Sequence, residues 1–117
     1  VGVHNDELVN KKQGMNLPIL TLQERVLSVL GCKFVDDALI DAPEDVTADM
    51  IAFLRISAVV IRDSGDETVP DTYKLAAERG LLRKVQVSYS LSSLEFVDRI
   101  LNQRERYAEK FQKKMAA

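Results

Sequence analysis

The sequence predicts an α/β domain in which a mostly parallel sheet is flanked by helices. Two observations carry that expectation. Short strand-like runs alternate with helical apolar patterns, and glycine, proline or a capping residue marks nearly every change from one to the next. At 117 residues the chain is the size of one ordinary domain.

The elements follow in order. "VGVH" reads as the end of a strand running into a polar loop, in which Lys11 and Lys12 precede Gly14. In "TLQERVLSVLG", Thr21 and Glu24 have capping-box spacing, and Leu22, Val26, Leu27, Val29 and Leu30 share a face. A helix is expected from Leu22 to Leu30, with Gly31 as its stop. "DALI" is a short strand ended by Pro43. "VTADMIAFLRI" supplies Thr47 as a cap and Met50, Ile51, Phe53 and Leu54 as a buried face. "SAVVI" is a continuous β-branched run of the kind that forms a strand covered on both sides. The polar "RDSGDETVPD" is a loop, "DTYKLAAERG" a helix closed by Gly80, and "KVQVS", Lys84 to Ser88, the last strand. "SLEFVDRILNQRERYAEKFQKKM" reads as one long final helix.

Composition narrows the function classes. With 46% hydrophobic and 29% charged residues the chain has a soluble globular balance. Its net charge of -2 argues against a nucleic-acid binder held by bulk electrostatics, so any phosphate site must be local. One cysteine, Cys32, can form neither an internal disulfide nor a zinc cluster; an intracellular setting and a core role fit it best. No apolar run approaches the ~20 residues of a membrane span, and no signal-peptide pattern opens the chain. The start "VGVHNDE", without an initiator Met, reads as a cut inside a domain.

Parallel sheets bind ligands beyond the carboxyl ends of their strands, which directs attention to three places. After the last strand, Ser88, Ser90, Ser92 and Ser93 crowd the N-terminus of the final helix, where free N–H groups can hold a phosphate. Ser92 with Glu95 is also a capping box, which accounts for two of the serines without any ligand. At the end of the first strand stand His4, the sole histidine, and Asp6, each suited to substrate contact or to a structural bond. Lys12 could meet an anion, and Arg25 could touch substrate or pair with an Asp such as Asp36.

The order of these pieces resembles the cytidylyltransferase family of phospholipid synthesis. "LPILTLQERVLSVLGCKFVDDALIDAP" carries the likeness most strongly, "VTADMIAFL" supports it, and "LSSLEFVDRIL" is similar to the family's Ser-Thr-Thr turn. The resemblance runs to about Asn102 and is greatest to the second of two cytidylyltransferase-like halves found in members acting on phosphoethanolamine.

It implies a Rossmann-like nucleotidyltransferase fold, truncated at the N-terminus so that the first strand and helix are missing. It further implies a domain over residues 1–102 followed by a polar helical extension over 103–117. The parent enzyme would transfer a cytidylyl group from CTP, carrying Mg²⁺, to phosphoethanolamine, giving CDP-ethanolamine in a cytoplasmic setting at most peripheral to the endoplasmic reticulum. Its other cytidylyltransferase half would be the chief partner.

This chain departs from the family at the catalytic points. A His-x-Gly-His motif cannot be formed with His4 alone, and Gln13 stands at the family's lysine, with Lys12 beside it. In the last motif Val87 replaces Arg, Ser88 replaces Thr, Ser90 replaces Gly and Leu94 replaces the second Thr. No catalytic residue is therefore assigned, the four serines make at best a degenerate nucleotide site, and a scaffold role packed against an active half is the alternative. Related choline enzymes carry an amphipathic membrane helix. Here Ile100, Tyr107 and Phe111 are too sparse, and Glu105 and Glu109 too interleaved with the basic residues, for a membrane anchor.

Overall fold

The computed structural model describes residues 1–89 and 91–116. The chain divides into two compact units, Val1–Gln86 and the residues from Val87 onward.

The first unit opens with β1 (Gly2–Val3), then α1 (Asp6–Gln13), α2 (Leu22–Leu30) and β2 (Leu39–Ile40). It continues through α3 (Ala48–Leu54), β3 (Val59–Arg62), a 3-10 turn over Asp71–Tyr73, α4 (Lys74–Glu78) and β4 (Leu82–Val85). Among the described residues both strand pairings are parallel, as the alternation of strands and helices predicts. β1 pairs with β2 in the register Gly2 to Leu39, and β3 pairs with β4 in the register Val59 to Leu82. The sheet is nevertheless not one piece: among the described residues the four strands form two separate two-stranded parallel pairs.

Local chemistry explains the helix boundaries. Thr21 Oγ1 accepts the Glu24 N–H at 3.3 Å while Glu24 Oε1 accepts the Thr21 N–H at 3.1 Å, so two otherwise unpaired donors are satisfied reciprocally. The helix from Leu22 to Leu30 stands as expected, but Gly31 ends it in right-handed geometry at φ -70° rather than in a left-handed cap. Thr47 Oγ1 accepts the Met50 N–H at 3.2 Å and starts α3. Gly80, at φ +70°, turns the chain after α4, a conformation that suits a residue without Cβ.

Several expectations are corrected. Lys11 and Lys12 lie in the last turn of α1, not in a loop: Asn5 caps the helix by accepting the Leu8 N–H at 2.8 Å, and Gly14 closes it. The last strand begins at Leu82 and ends at Val85, so Val87 and Ser88 lie outside it. The long final helix is two, α5 (Ser93–Asn102) and α6 (Arg104–Ala116), broken at Gln103 where ψ reaches 15°. Cys32 is exposed rather than buried.

The core of the first unit is small. Val3, Leu17, Val26, Ala42, Ile51 and Ala76 are buried, whereas Phe53 of α3 is 87% exposed and Leu27 of α2 is 70% exposed. Val60 of β3, expected to be covered on both faces, is 60% exposed. Apolar surface on this scale is more than a small monomeric domain ordinarily leaves exposed.

Candidate functional site

The carboxyl ends of β1 and β2 form a hydrogen-bonded rim. The chain leaves β1 through His4 and Asn5 and leaves β2 through Asp41 and Ala42. His4 Nδ1 lies 2.9 Å from the Ala42 carbonyl oxygen. A carbonyl only accepts, so Nδ1 carries the proton, and in the neutral ring Nε2 is left as an acceptor. Asn5 Nδ2 donates to Asp41 Oδ1 at 2.9 Å, which ties the α1 cap to a residue held at φ +57°.

Arg25 locks this rim to the neighbouring helices. Its Nη1 donates to the His4 carbonyl at 2.8 Å, its Nη2 to Asp6 Oδ1 at 2.6 Å, and its Nε to the Leu20 carbonyl at 3.1 Å. The planar fork thus joins the end of β1, the first residue of α1 and the approach to α2, a geometry an ammonium could not reproduce. The partner carboxylate is Asp6, not Asp36, and α1 is what brings it there.

Three clefts adjoin the rim: the smallest, of ≈ 400 Å³, is lined by His4, Leu20, Arg25 and Val29, and two are larger. One, of ≈ 510 Å³, is mainly apolar, with Leu39, Met50, Leu54 and Val59 in its wall and His4, Glu44 and Tyr73 as its polar members. The other, of ≈ 490 Å³, carries Asp6, Glu7, Asn10 and Thr21, so its carboxylates oppose an anionic ligand. Lys12 lines none of the three. Its place in the last turn of α1 suits the helix dipole. Lys11 lies 3.7 Å from Glu44.

The serine region belongs to the second unit. Ser92 Oγ accepts the Glu95 N–H at 3.1 Å, and the Glu95 carboxylate accepts the Ser92 N–H at 3.0 Å. The capping box therefore occupies Ser92 and sets a negative charge where a phosphate would otherwise meet the helix dipole. Ser93 is the first residue of α5 and is exposed, as is Ser88. Ser90 lies outside the described residues. Among the described residues no group of three or more His, Cys, Asp or Glu is placed to hold a metal ion.

Sequence reasoning did not single out Asn5 and Asp41 in this rim. Asn5 had a readable signal: a capping residue, then Asp-Glu, then Lys-Lys before Gly14 is the charge order of a short helix. Asp41 had none, because its role depends on the turn after β2.

No family model matches the chain. Comparison with curated proteins is decisive. The chain is 44% identical over 120 residues to ethanolamine-phosphate cytidylyltransferase of Dictyostelium discoideum, across 99% of its own length. It is 34% identical to the protein of that name in Arabidopsis thaliana and 35% in Mus musculus, across 100% and 98% of its length. Its relatives are ethanolamine-phosphate cytidylyltransferases. The chain spans about a third of their length, 33%, 29% and 29% respectively. Choline-phosphate cytidylyltransferase A of Homo sapiens is more distant, at 29% identity over 94% of the chain. The α/β architecture with parallel strands agrees with a Rossmann-like cytidylyltransferase domain, and no described helix is long and apolar enough to cross a membrane.

Proposed function

We propose that this chain is part of a CTP:phosphoethanolamine cytidylyltransferase that makes CDP-ethanolamine for phosphatidylethanolamine synthesis, and that within it this region is a supporting domain without catalytic residues of its own. The observation that carries the first half is similarity to three enzymes of that name along essentially the whole chain. The reaction is in-line attack by a substrate phosphate on the α-phosphate of CTP, with pyrophosphate leaving. Positioning and charge neutralisation do most of the catalytic work. CTP would bring Mg²⁺ on its triphosphate, and no side chain of this chain is assigned to the metal.

The supporting role rests on how the candidate residues are used. Arg25, Asp6 and the ring Nδ1 of His4 are engaged in bonds that hold the rim, and Ser92 is engaged in the α5 cap. The remaining cytidylyltransferase half of the same protein would carry the chemistry, in a cytoplasmic enzyme. The competing reading, a degenerate nucleotide site at Ser88, Ser90, Ser92 and Ser93, draws on the free donors of the α5 N-terminus, but Glu95 already sits there.

The test uses the full-length protein with CTP, phosphoethanolamine and Mg²⁺. CDP-ethanolamine and pyrophosphate should form in equal amounts, and failure to form them refutes the enzymatic assignment. Ser88→Ala and Ser93→Ala together should leave kcat/KM within about twofold. A fall of roughly 10²-fold, the usual cost of removing a transition-state donor, would instead place catalysis in this region.

A further inference from the structure

The loop that follows β3 presents one serine to solvent inside a run of carboxylates. β3 ends at Arg62, and residues 63–70 are irregular backbone up to the 3-10 turn that begins at Asp71. From Asp63 to Tyr73 the chain carries Asp63, Asp66, Glu67 and Asp71 and neither Lys nor Arg. Ser64, Gly65, Asp66 and Glu67 are all exposed, and Gly65, at φ +80°, turns the chain directly after the serine. Two side-chain turns shape the run: Asp63 Oδ1 accepts the Gly65 N–H at 2.9 Å, and Asp66 Oδ1 accepts the Thr68 N–H at 2.8 Å. Lys84 of β4 fastens this loop to the sheet. Its Nζ donates to the Asp66 carbonyl at 2.9 Å and to the Thr68 carbonyl at 3.4 Å.

We infer that Ser64 is a phosphorylation site for an acidophilic serine/threonine kinase, and that its phosphate releases the loop after β3 from Lys84. In the transfer, Ser64 Oγ attacks the γ-phosphorus of Mg²⁺-bound ATP. The new O–P bond forms as the bond from that phosphorus to the bridging oxygen of ADP breaks, and the hydroxyl proton passes to the kinase's catalytic Asp. A kinase of this class reads carboxylates on the C-terminal side of the acceptor with basic side chains of its own. Asp66 and Glu67, two and three residues after Ser64, supply them. Backbone access separates Ser64 from other hydroxyls with similar spacing. Thr21 and Ser92 also stand three residues before a glutamate, but each is a helix cap whose oxygen accepts that glutamate's N–H while the glutamate bonds back to the cap. The Thr68 hydroxyl is bonded to the Asp66 carboxylate. Ser64 combines exposure, irregular backbone and downstream carboxylates.

Charge gives the modification its effect. A phosphoserine carries about -1.5 to -2 at pH 7. Set between Asp63 and Asp66, it repels the carboxylates that shape both turns. It also competes for the Lys84 ammonium with two neutral carbonyls, and a charge-assisted bond to phosphate is the stronger of the two. The loop stands at the carboxyl end of β3, the side on which open α/β sheets place their ligands, so its release alters that rim. The site goes beyond the proposed function and is independent of which half performs catalysis.

Phosphorylation of the full-length protein by casein kinase 2, as the acidophilic probe, with Mg²⁺ and ATP tests it, read by phosphopeptide mass spectrometry. Phosphate should appear on Ser64 and be lost in Ser64→Ala. Asp66→Asn together with Glu67→Gln should lower kcat/KM for the transfer by roughly tenfold or more, through the loss of two recognition charges. Absence of phosphate on Ser64, while a reference acidic peptide is turned over under the same conditions, overturns the inference. Modification of a synthetic peptide spanning residues 59–71 but not of the folded protein overturns it too. Transfer that survives loss of both carboxylates and falls instead in Arg62→Gln has the same force, because the site then belongs to a kinase that reads basic residues. Release of the loop has its own readout: exchange of the Gly65 and Thr68 amides should quicken by roughly tenfold or more on phosphorylation, and unchanged exchange refutes that step.

Discussion

Replacing Arg25 by alanine removes three donors at once and tests whether the rim is a structural clasp. A hydrogen bond from a charged group contributes about 1.5–3 kcal/mol when well shielded. Shielding here is uneven: the Arg25 side chain is 19% exposed and that of Asp6 is 50% exposed. The ion pair is therefore discounted to about 0.5–1 kcal/mol, the range of partly solvated pairs. The carbonyls of His4 and Leu20 can regain water after truncation, so each bond to them is taken near the low net value of about 1 kcal/mol. Together these give a loss of about 2.5–3 kcal/mol for Arg25→Ala and about 0.5–1 kcal/mol for Asp6→Asn. Arg25→Lys should recover less than half of the loss, because one ammonium cannot serve three acceptors in a fork. Urea denaturation followed by circular dichroism measures all three variants, and 1 M salt should shrink only the Asp6 share. If Arg25→Ala falls within about 0.5 kcal/mol of wild type, or if lysine fully substitutes, the clasp is refuted and Arg25 is free to serve a ligand.

Ser92→Ala should cost about 1 kcal/mol of local stability in α5 and speed exchange of the Glu95 amide, since it removes half of a capping box. Gly80→Ala should destabilise by about 1–2 kcal/mol through its left-handed φ alone, because no atom lies within 4 Å of the added Cβ; a thermal melt unchanged from wild type would contradict this. Asp66 accepts the Thr68 N–H at 2.8 Å, and that bond, with lesser help from the Thr68 hydroxyl and Lys84, holds its carboxyl below the ordinary 3.8. The depressed value favours the charged form, so its contribution to the loop is full above 3.8 and fades as pH falls through the lower folded value. Carboxyl-carbon chemical shifts should give an Asp66 midpoint below 3.8, and a midpoint at or above that figure refutes the turn.

Local signals were legible in the sequence because their physics is local. The α2 boundaries at Leu22 and Leu30 and the caps at Thr21, Thr47 and Ser92 depend on side chains reaching amides three residues away, so spacing alone reveals them. Alternation of apolar runs likewise announced an α/β chain with parallel strands. The α1 helix was missed although its caps and charges were present, because "DELVNKKQ" has too few apolar residues to show a period. The end of the last strand was misplaced because the β-branched pattern of Val85 and Val87 continues past the point where pairing with β3 stops.

What the sequence by itself determined was the fold class, the main helix limits and the family likeness, since propensity, capping and residue order are properties of the chain. Which groups meet was decided only by tertiary structure. Asp6 is 19 residues from Arg25, Ala42 is 38 from His4, and Asp41 is 36 from Asn5, and no periodicity connects such distant positions. The same holds for the division of the sheet into two pairs around a cleft. An edge is unpaired only by virtue of where its neighbours lie, and that is settled by packing in three dimensions.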